Sequence, residues 1–237
     1  MKLGFQYGTR YIDFNVVFRD RKTMTIEVEP SGDVNVISPI SANEEVILKK
    51  VKSKAKWIVQ KQYEVKNINI NKIKRETVNG ESYLYLGRTY SLQLIYDENV
   101  KDINVRLLRG KFIVATYTNE EEKIKLALEN WYRDKTLRKV NERVKYYESY
   151  FKDKVTNIKV KEQKKRWASC TKNNELLFNW RCVMAPSNVL DYIVVHEMCH
   201  MKYKSHTKEF WDNVCSVLND YEYRKEWLKN NGIKLDL

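Results

Sequence analysis

The sequence predicts an α+β chain, and three observations carry that reading. Short runs of β-forming residues separated by polar or glycine turns fill the first half, with one helical stretch inserted among them. Thr118-Asn119-Glu120-Glu121-Glu122 then opens a long segment with apolar residues at helical spacing. A further helical stretch after Pro186, with the residues just beyond it, holds all three histidines of the 237-residue chain. We expect a mostly antiparallel β domain with an inserted helix over 1–117. A second domain over 118–237 should contain a long helix, a small sheet and the histidine-bearing helix.

Taken in order, Tyr11 to Phe18 and Met24 to Val28 cluster β-formers around the polar Arg19-Asp20-Arg21-Lys22, which reads as a hairpin. Ser31-Gly32-Asp33 turns into Val34-Asn35-Val36-Ile37, which Pro39 stops. Asn43-Glu44-Glu45 opens a helix towards Tyr63, with Val46, Ile47, Val51, Lys54 and Ile58 on one face and Trp57 packed beside it as a core aromatic. Ile68 to Ile73 alternates without defining an element. Tyr83 to Leu86 with Thr89 to Tyr96, and Ile103 to Leu108 with Phe112 to Ala115, form two further hairpins through Gly87-Arg88 and Arg109-Gly110.

Thr118 caps the long helix, which runs towards Phe151 and buries Ile124, Leu128, Trp131, Tyr132, Leu137 and Val144. Its Lys135, Arg138, Lys139, Arg143 and Lys145 read as a solvated face rather than an anion-binding stripe. Ile158 to Val160 and Leu176 to Trp180 are strands flanking Arg166 to Cys170. Thr207 to Leu218 and a short stretch around Trp227 and Leu228 are the closing helices.

The histidine helix starts at Pro186-Ser187-Asn188, with Ser187 or Asn188 as N-cap and Asp191 in the first turn. Leu190, Ile193, Val194 and Met201 form its apolar face. Residues four apart on a helix differ by about 40° around the axis, so His196 and His200 aim at one point. Glu197 projects from an adjoining face, near an ion held there without ligating it. This H-E-x-x-H spacing is that of a metal site whose glutamate is general base towards water. A catalytic zinc has three protein ligands and one open position, and His206, after the helix ends near Tyr203, is the third ligand.

Arg166-Trp167-Ala168-Ser169-Cys170, Asn179-Trp180-Arg181, Tyr192-Ile193-Val194-Val195-His196-Glu197-Met198-Cys199-His200 and His206-Thr207-Lys208-Glu209-Phe210-Trp211 resemble the YgjP-like metal-dependent hydrolases, relatives of the SprT-like zinc metallopeptidases. The resemblance implies a zincin-like C-terminal domain, zinc on His196, His200 and His206, and Glu197 as catalytic base. Ala168 stands where the family usually has glycine. The metzincin pattern is excluded, because it needs glycine where Tyr203 stands and a methionine turn, and no methionine follows Met201.

A net charge of +13 from 44 basic and 31 acidic residues favours anionic partners: nucleic acid, nucleotides or acidic substrates. Dispersed lysines on a solvated surface account for it equally well. None of Cys170, Cys182, Cys199 and Cys215 forms a C-x-x-C pair, so a thiolate zinc site is not expected. No signal peptide or membrane span is apparent, and a cytoplasmic protein with reduced thiols is expected.

The expected chemistry is hydrolysis by zinc-activated water. Arg166 is a candidate for pairing with a substrate carboxylate or phosphate, and Trp167 and Ser169 for lining a cleft in which an extended peptide adds to the Arg166-to-Cys170 strand. Three functions stand: a metallopeptidase, which comes first; a nucleoside triphosphate pyrophosphatase, which the resemblance allows through its link to UTP; and a non-catalytic, nucleic-acid-associated adaptor with structural zinc.

Overall fold

The computed structural model describes residues 1–29, 31–70, 75–163 and 166–237, and the chain divides into two compact units, Met1–Lys72 and Ile73–Leu237. In the first unit, β1 (Lys2–Tyr7), β2 (Arg10–Arg19), β3 (Thr25–Val28) and β4 (Val34–Pro39) form one sheet in the order β1-β2-β4-β3. Alternation sets its faces: Ile12, Phe14 and Val16 of β2 and Val34 and Val36 of β4 are buried, while their neighbours in sequence are not. The expected hairpin between the second and third strands does not form. β3 pairs antiparallel with β4, and β4 lies parallel beside β2. The alternation fixes which face each strand buries and leaves the choice of partner open.

The expected single helix from Asn43 is broken into α1 (Glu44–Lys52) and α2 (Ala55–Ile70). Asn43 caps α1, its side chain accepting from the Val46 amide at 2.9 Å, and Ser53 closes it by donating from its amide to the carbonyls of Lys49 and Val51. Ile47, Val51, Ala55 and Ile58 make the buried stripe. Val46 and Trp57 each precede a stripe residue by one position, about 100° off it, and both are exposed. Trp57 is therefore not the core aromatic expected. The Ile68-to-Ile73 stretch runs out of α2 into residues outside those described.

The second unit repeats this sheet pattern. β5 (Ser82–Tyr85), β6 (Arg88–Tyr96), β7 (Asn104–Leu108) and β8 (Lys111–Thr116) stand in the order β5-β6-β8-β7, with antiparallel hairpins at the edges and β6 parallel to β8 in the middle. Both hairpin turns, Leu86-Gly87 and Arg109-Gly110, have two residues at positive φ, as a type I′ turn requires.

The long helix α3 (Glu121–Tyr147) buries Ile124, Leu128, Tyr132, Thr136, Val140, Val144 and Tyr147, one residue per turn. Trp131 is half-buried and Leu137 exposed, because they fall beside that stripe. Thr118 bonds the Glu120 amide through its side chain and does not cap the helix, whose N-cap is Glu120. Of the basic face, Arg138 pairs with Asp134, Lys139 with Glu142 and Arg143 with Asp191.

A small sheet, β9 (Asn157–Lys161), β10 (Ala168–Cys170) and β11 (Glu175–Asn179), stands in the order β10-β11-β9. Helices α4 (Ser187–Lys202), α5 (Lys208–Val217) and α6 (Tyr221–Asn231) complete the unit.

The compact units meet at the Lys72/Ile73 junction, whereas the sequence reading divides the chain after 117. Tyr83, Leu92, Phe112 and Val114 of the second four-stranded sheet share one core with Leu128 and Tyr132 of α3 and with Val194 and Met198 of α4. Burial against α3, rather than the change from strands to helices, decides where the unit begins. No helix among the described residues is long and apolar enough to cross a membrane.

Candidate metal centre

Helix α4 is apolar almost all round, and Val189, Leu190, Tyr192 to Val195, Met198 and Cys199 are buried, as suits a helix packed on several sides. Its start is set by contacts distant in sequence. The N-cap is Pro186, not Ser187 or Asn188, and it makes no side-chain cap bond; Asn188 Oδ1 accepts from the neighbouring Val189 amide instead. The β5–β6 turn holds this end: the Leu86 amide donates to the Val183 carbonyl at 2.8 Å and the Gly87 amide to that of Met184 at 3.1 Å. Gly87, at φ +77°, lies so close that a Cβ there would meet the Pro186 ring at 2.8 Å. Asp191 does not serve the helix dipole as expected. It takes a two-pronged ion pair from Arg143 of α3, at 2.5 and 3.0 Å.

His196 and His200 leave the C-terminal half of α4 one turn apart, and His206 stands in the loop before α5. The three rings converge. His196 Nε2 is 3.0 Å and His200 Nε2 is 3.2 Å from His206 Nε2. A tetrahedral ion bound at 2.0–2.1 Å would hold its nitrogens about 3.3–3.4 Å apart, so the spacing fits such an ion with little adjustment. Nitrogens this close cannot all carry protons, and a shared proton satisfies only one pair; a cation satisfies all three.

His200 Nδ1 lies 2.8 Å from the Tyr203 carbonyl, which only accepts. Nδ1 is therefore the donor, and Nε2 presents its lone pair to the centre. Burial and the neighbouring imidazoles lower the pKa of His196 to about 3, and partial desolvation with the nearby His200 lowers that of the exposed His206, so both favour the neutral, ligating form. Phe210 of α5, fully buried, forms an apolar floor with its centroid 4.5–4.9 Å from all three rings. Among the described residues no fourth side chain joins this ligand group.

Glu197 is 6% exposed, and burial raises its pKa to about 8 against the opposing charge of Arg166 and a hydrogen bond from the Cys170 main chain. Its Oε2 has no hydrogen-bond partner among the described residues. An unpartnered, buried carboxyl oxygen calls for a partner that the described residues do not supply.

The other expected site residues separate. Arg166 is exposed, and its charge reaches Glu197. Ser169 lies half-buried on β10, which pairs with β11 on one side and, among the described residues, with no strand on the other. Trp167 lies in packing: its indole lies against Gly232, where a Cβ would come within 2.8 Å of Cζ2, and its carbonyl accepts from the Asn179 amide and Cys182 Sγ. Sequence reasoning missed the ring contacts of Tyr192 with His196 and of Phe210 and Trp211 with the imidazoles. In the sequence these three stand only within the motifs that carry the family resemblance.

A comparison with curated proteins gives no match. Among solved structures, the metallopeptidase zymogen abylysin of Pyrococcus abyssi aligns over 40% of this chain and 96% of its own, at 15% identity and a TM-score of 0.37. The YgjP-like family, described as "YgjP-like, metallopeptidase domain", matches residues 22–231. With that match over most of its length, the chain belongs to the YgjP-like family.

Proposed function

We propose that the protein is a zinc-dependent peptidase of zincin-like arrangement, in which His196, His200 and His206 hold the ion and Glu197 handles the proton. The observation that carries this is the three-nitrogen cluster, together with Glu197, next to His196 in the chain, whose buried Oε2 has no partner among the described residues. Three neutral nitrogens suit zinc, and three protein ligands leave a position for water, whereas a structural site is normally closed by four. That difference argues against an adaptor whose zinc is structural. A zinc ion bound there would supply an acidified water and a Lewis acid for the attacked carbonyl.

The chain's own residues supply the rest. Glu197 accepts the proton of water at Oε2 and passes it to the leaving nitrogen. Its burial makes it a strong base, and with a dication held by the three histidines it would be ionised at neutral pH. The edge of β10 that no strand covers among the described residues offers main-chain groups to an extended polypeptide near Glu197, so the peptide lies along Ser169 while Arg166 meets a substrate carboxylate.

The net charge of +13 and the exposed Arg166 favour a second reading, hydrolysis of a nucleoside triphosphate such as UTP. Zinc-loaded protein offered unfolded polypeptide and, separately, nucleoside triphosphates tests the choice. Peptide cleavage abolished by Glu197→Gln supports the peptidase. Pyrophosphate release without peptide cleavage replaces it by the second reading. A cytoplasmic location goes with this proposal and with four unpaired cysteines.

A further inference from the structure

We propose that Trp211 is a positioning residue for His206, holding the third ligand's imidazole in the plane the metal requires. The inference rests on the metal-centre reading above and adds the way in which the site is preorganised. The three imidazoles are supported differently. His200 is locked by its Nδ1 bond to the Tyr203 carbonyl. His196 is largely buried on α4 and ringed by Tyr192, Phe210 and Trp211. His206 lacks the bond, as the buried His196 Nδ1 does, and lacks the burial as well: it is exposed, it stands in a loop, and among the described residues its hydrogen bonds are made through Nε2. Ligating histidines ordinarily give the other ring nitrogen a partner, which fixes the ring.

Stacking replaces that bond here. The His206 and Trp211 rings lie within 20° of parallel with centroids 5.5 Å apart, and Trp211 continues into Tyr221 of α6 at 18° and 5.4 Å. Lys225 Nζ sits 4.0 Å from the Trp211 centroid. Trp211 sits in the first turn of α5, where its main-chain amide donates to the Thr207 carbonyl at 3.2 Å. Trp211 thus passes the rigidity of two helices to a loop histidine, and offset stacking restrains ring tilt while leaving Nε2 free to ligate.

The test measures affinity for zinc and for cobalt(II) on the full-length protein by chelator competition, together with the cobalt absorption band intensity, which reports coordination number. Losing an outer partner of a ligating histidine costs about 10–100-fold in metal affinity. We expect a loss of that size in Trp211→Leu, which keeps apolar bulk without a ring, together with a weakened cobalt band. Trp211→Phe, which keeps a stacking face, should stay within about threefold of the parent. Circular dichroism checks that both variants fold. Equal affinities for the Leu and Phe variants overturn the proposal, as does an unchanged cobalt spectrum in Trp211→Leu. Should the parent protein itself bind neither ion, the metal-centre reading fails first, and that result is distinct from a parent that binds tightly with indifferent variants.

Discussion

Glu197 is the residue where burial and chemistry meet. A carboxyl 6% exposed would ordinarily be expected to pair, yet Oε2 stands without a partner among the described residues. If that oxygen takes the proton of water, Glu197→Gln should keep metal content and lose turnover by about 10²–10⁴-fold, the usual size of a general-base contribution. Metal analysis beside a peptide-cleavage assay measures both quantities, and full turnover in the variant removes Glu197 from the mechanism. His200→Ala should lower bound zinc sharply from about one per chain, because it deletes the ligand whose tautomer is fixed by the Tyr203 carbonyl. The convergence of His196 and His200 was legible in the sequence, since a helix alone brings the two into line. The supports were not. The Tyr203 carbonyl, the stacked Trp211 and the packing of Trp167 on Gly232 depend on where chain ends and turns arrive in space.

Among the elements, α4 shows the same division between what is local and what is distant. Its periodicity and apolar content predicted a helix over the right residues, but Pro186 as cap and Asp191 as partner of Arg143 follow from the β5–β6 turn and from α3. The turn gives a controlled test, because Gly87 and Gly110 have nearly the same φ, +77° and +76°. Alanine at Gly110 meets nothing within 4 Å and should cost only backbone strain, about 1 kcal/mol. Alanine at Gly87 adds a clash with Pro186, whose Cα would stand 2.9 Å from the new methyl, and should cost about 1–3 kcal/mol more. Denaturant unfolding of the two variants measures the difference. Equal losses would mean that the Gly87–Pro186 contact does not hold the start of α4. Strand pairing was the least legible feature: β3 was expected beside β2 and lies beside β4, because alternating residues specify a face and not a neighbour.

Across the whole molecule, the two four-stranded sheets repeat one topology, with paired hairpins joined through a central parallel pair. Each has its own buried cluster: Phe14, Val36 and Ile58 belong to one, and Phe112, Leu128 and Val194 to the other. The two clusters share no residue, and all three candidate ligands belong to the second unit. Metal should therefore stabilise one unit and not the other. At zinc a hundredfold above its dissociation constant, linkage contributes about 2.7 kcal/mol to the state that binds it. For a unit the size of Ile73–Leu237 this is a rise of roughly 5–10 °C. Calorimetry with saturating zinc and with chelator should show two transitions, one moving by that amount and one staying still. A single transition, or two that move together, would mean that the separate clusters unfold as one cooperative body and that the unit boundary has no thermodynamic counterpart.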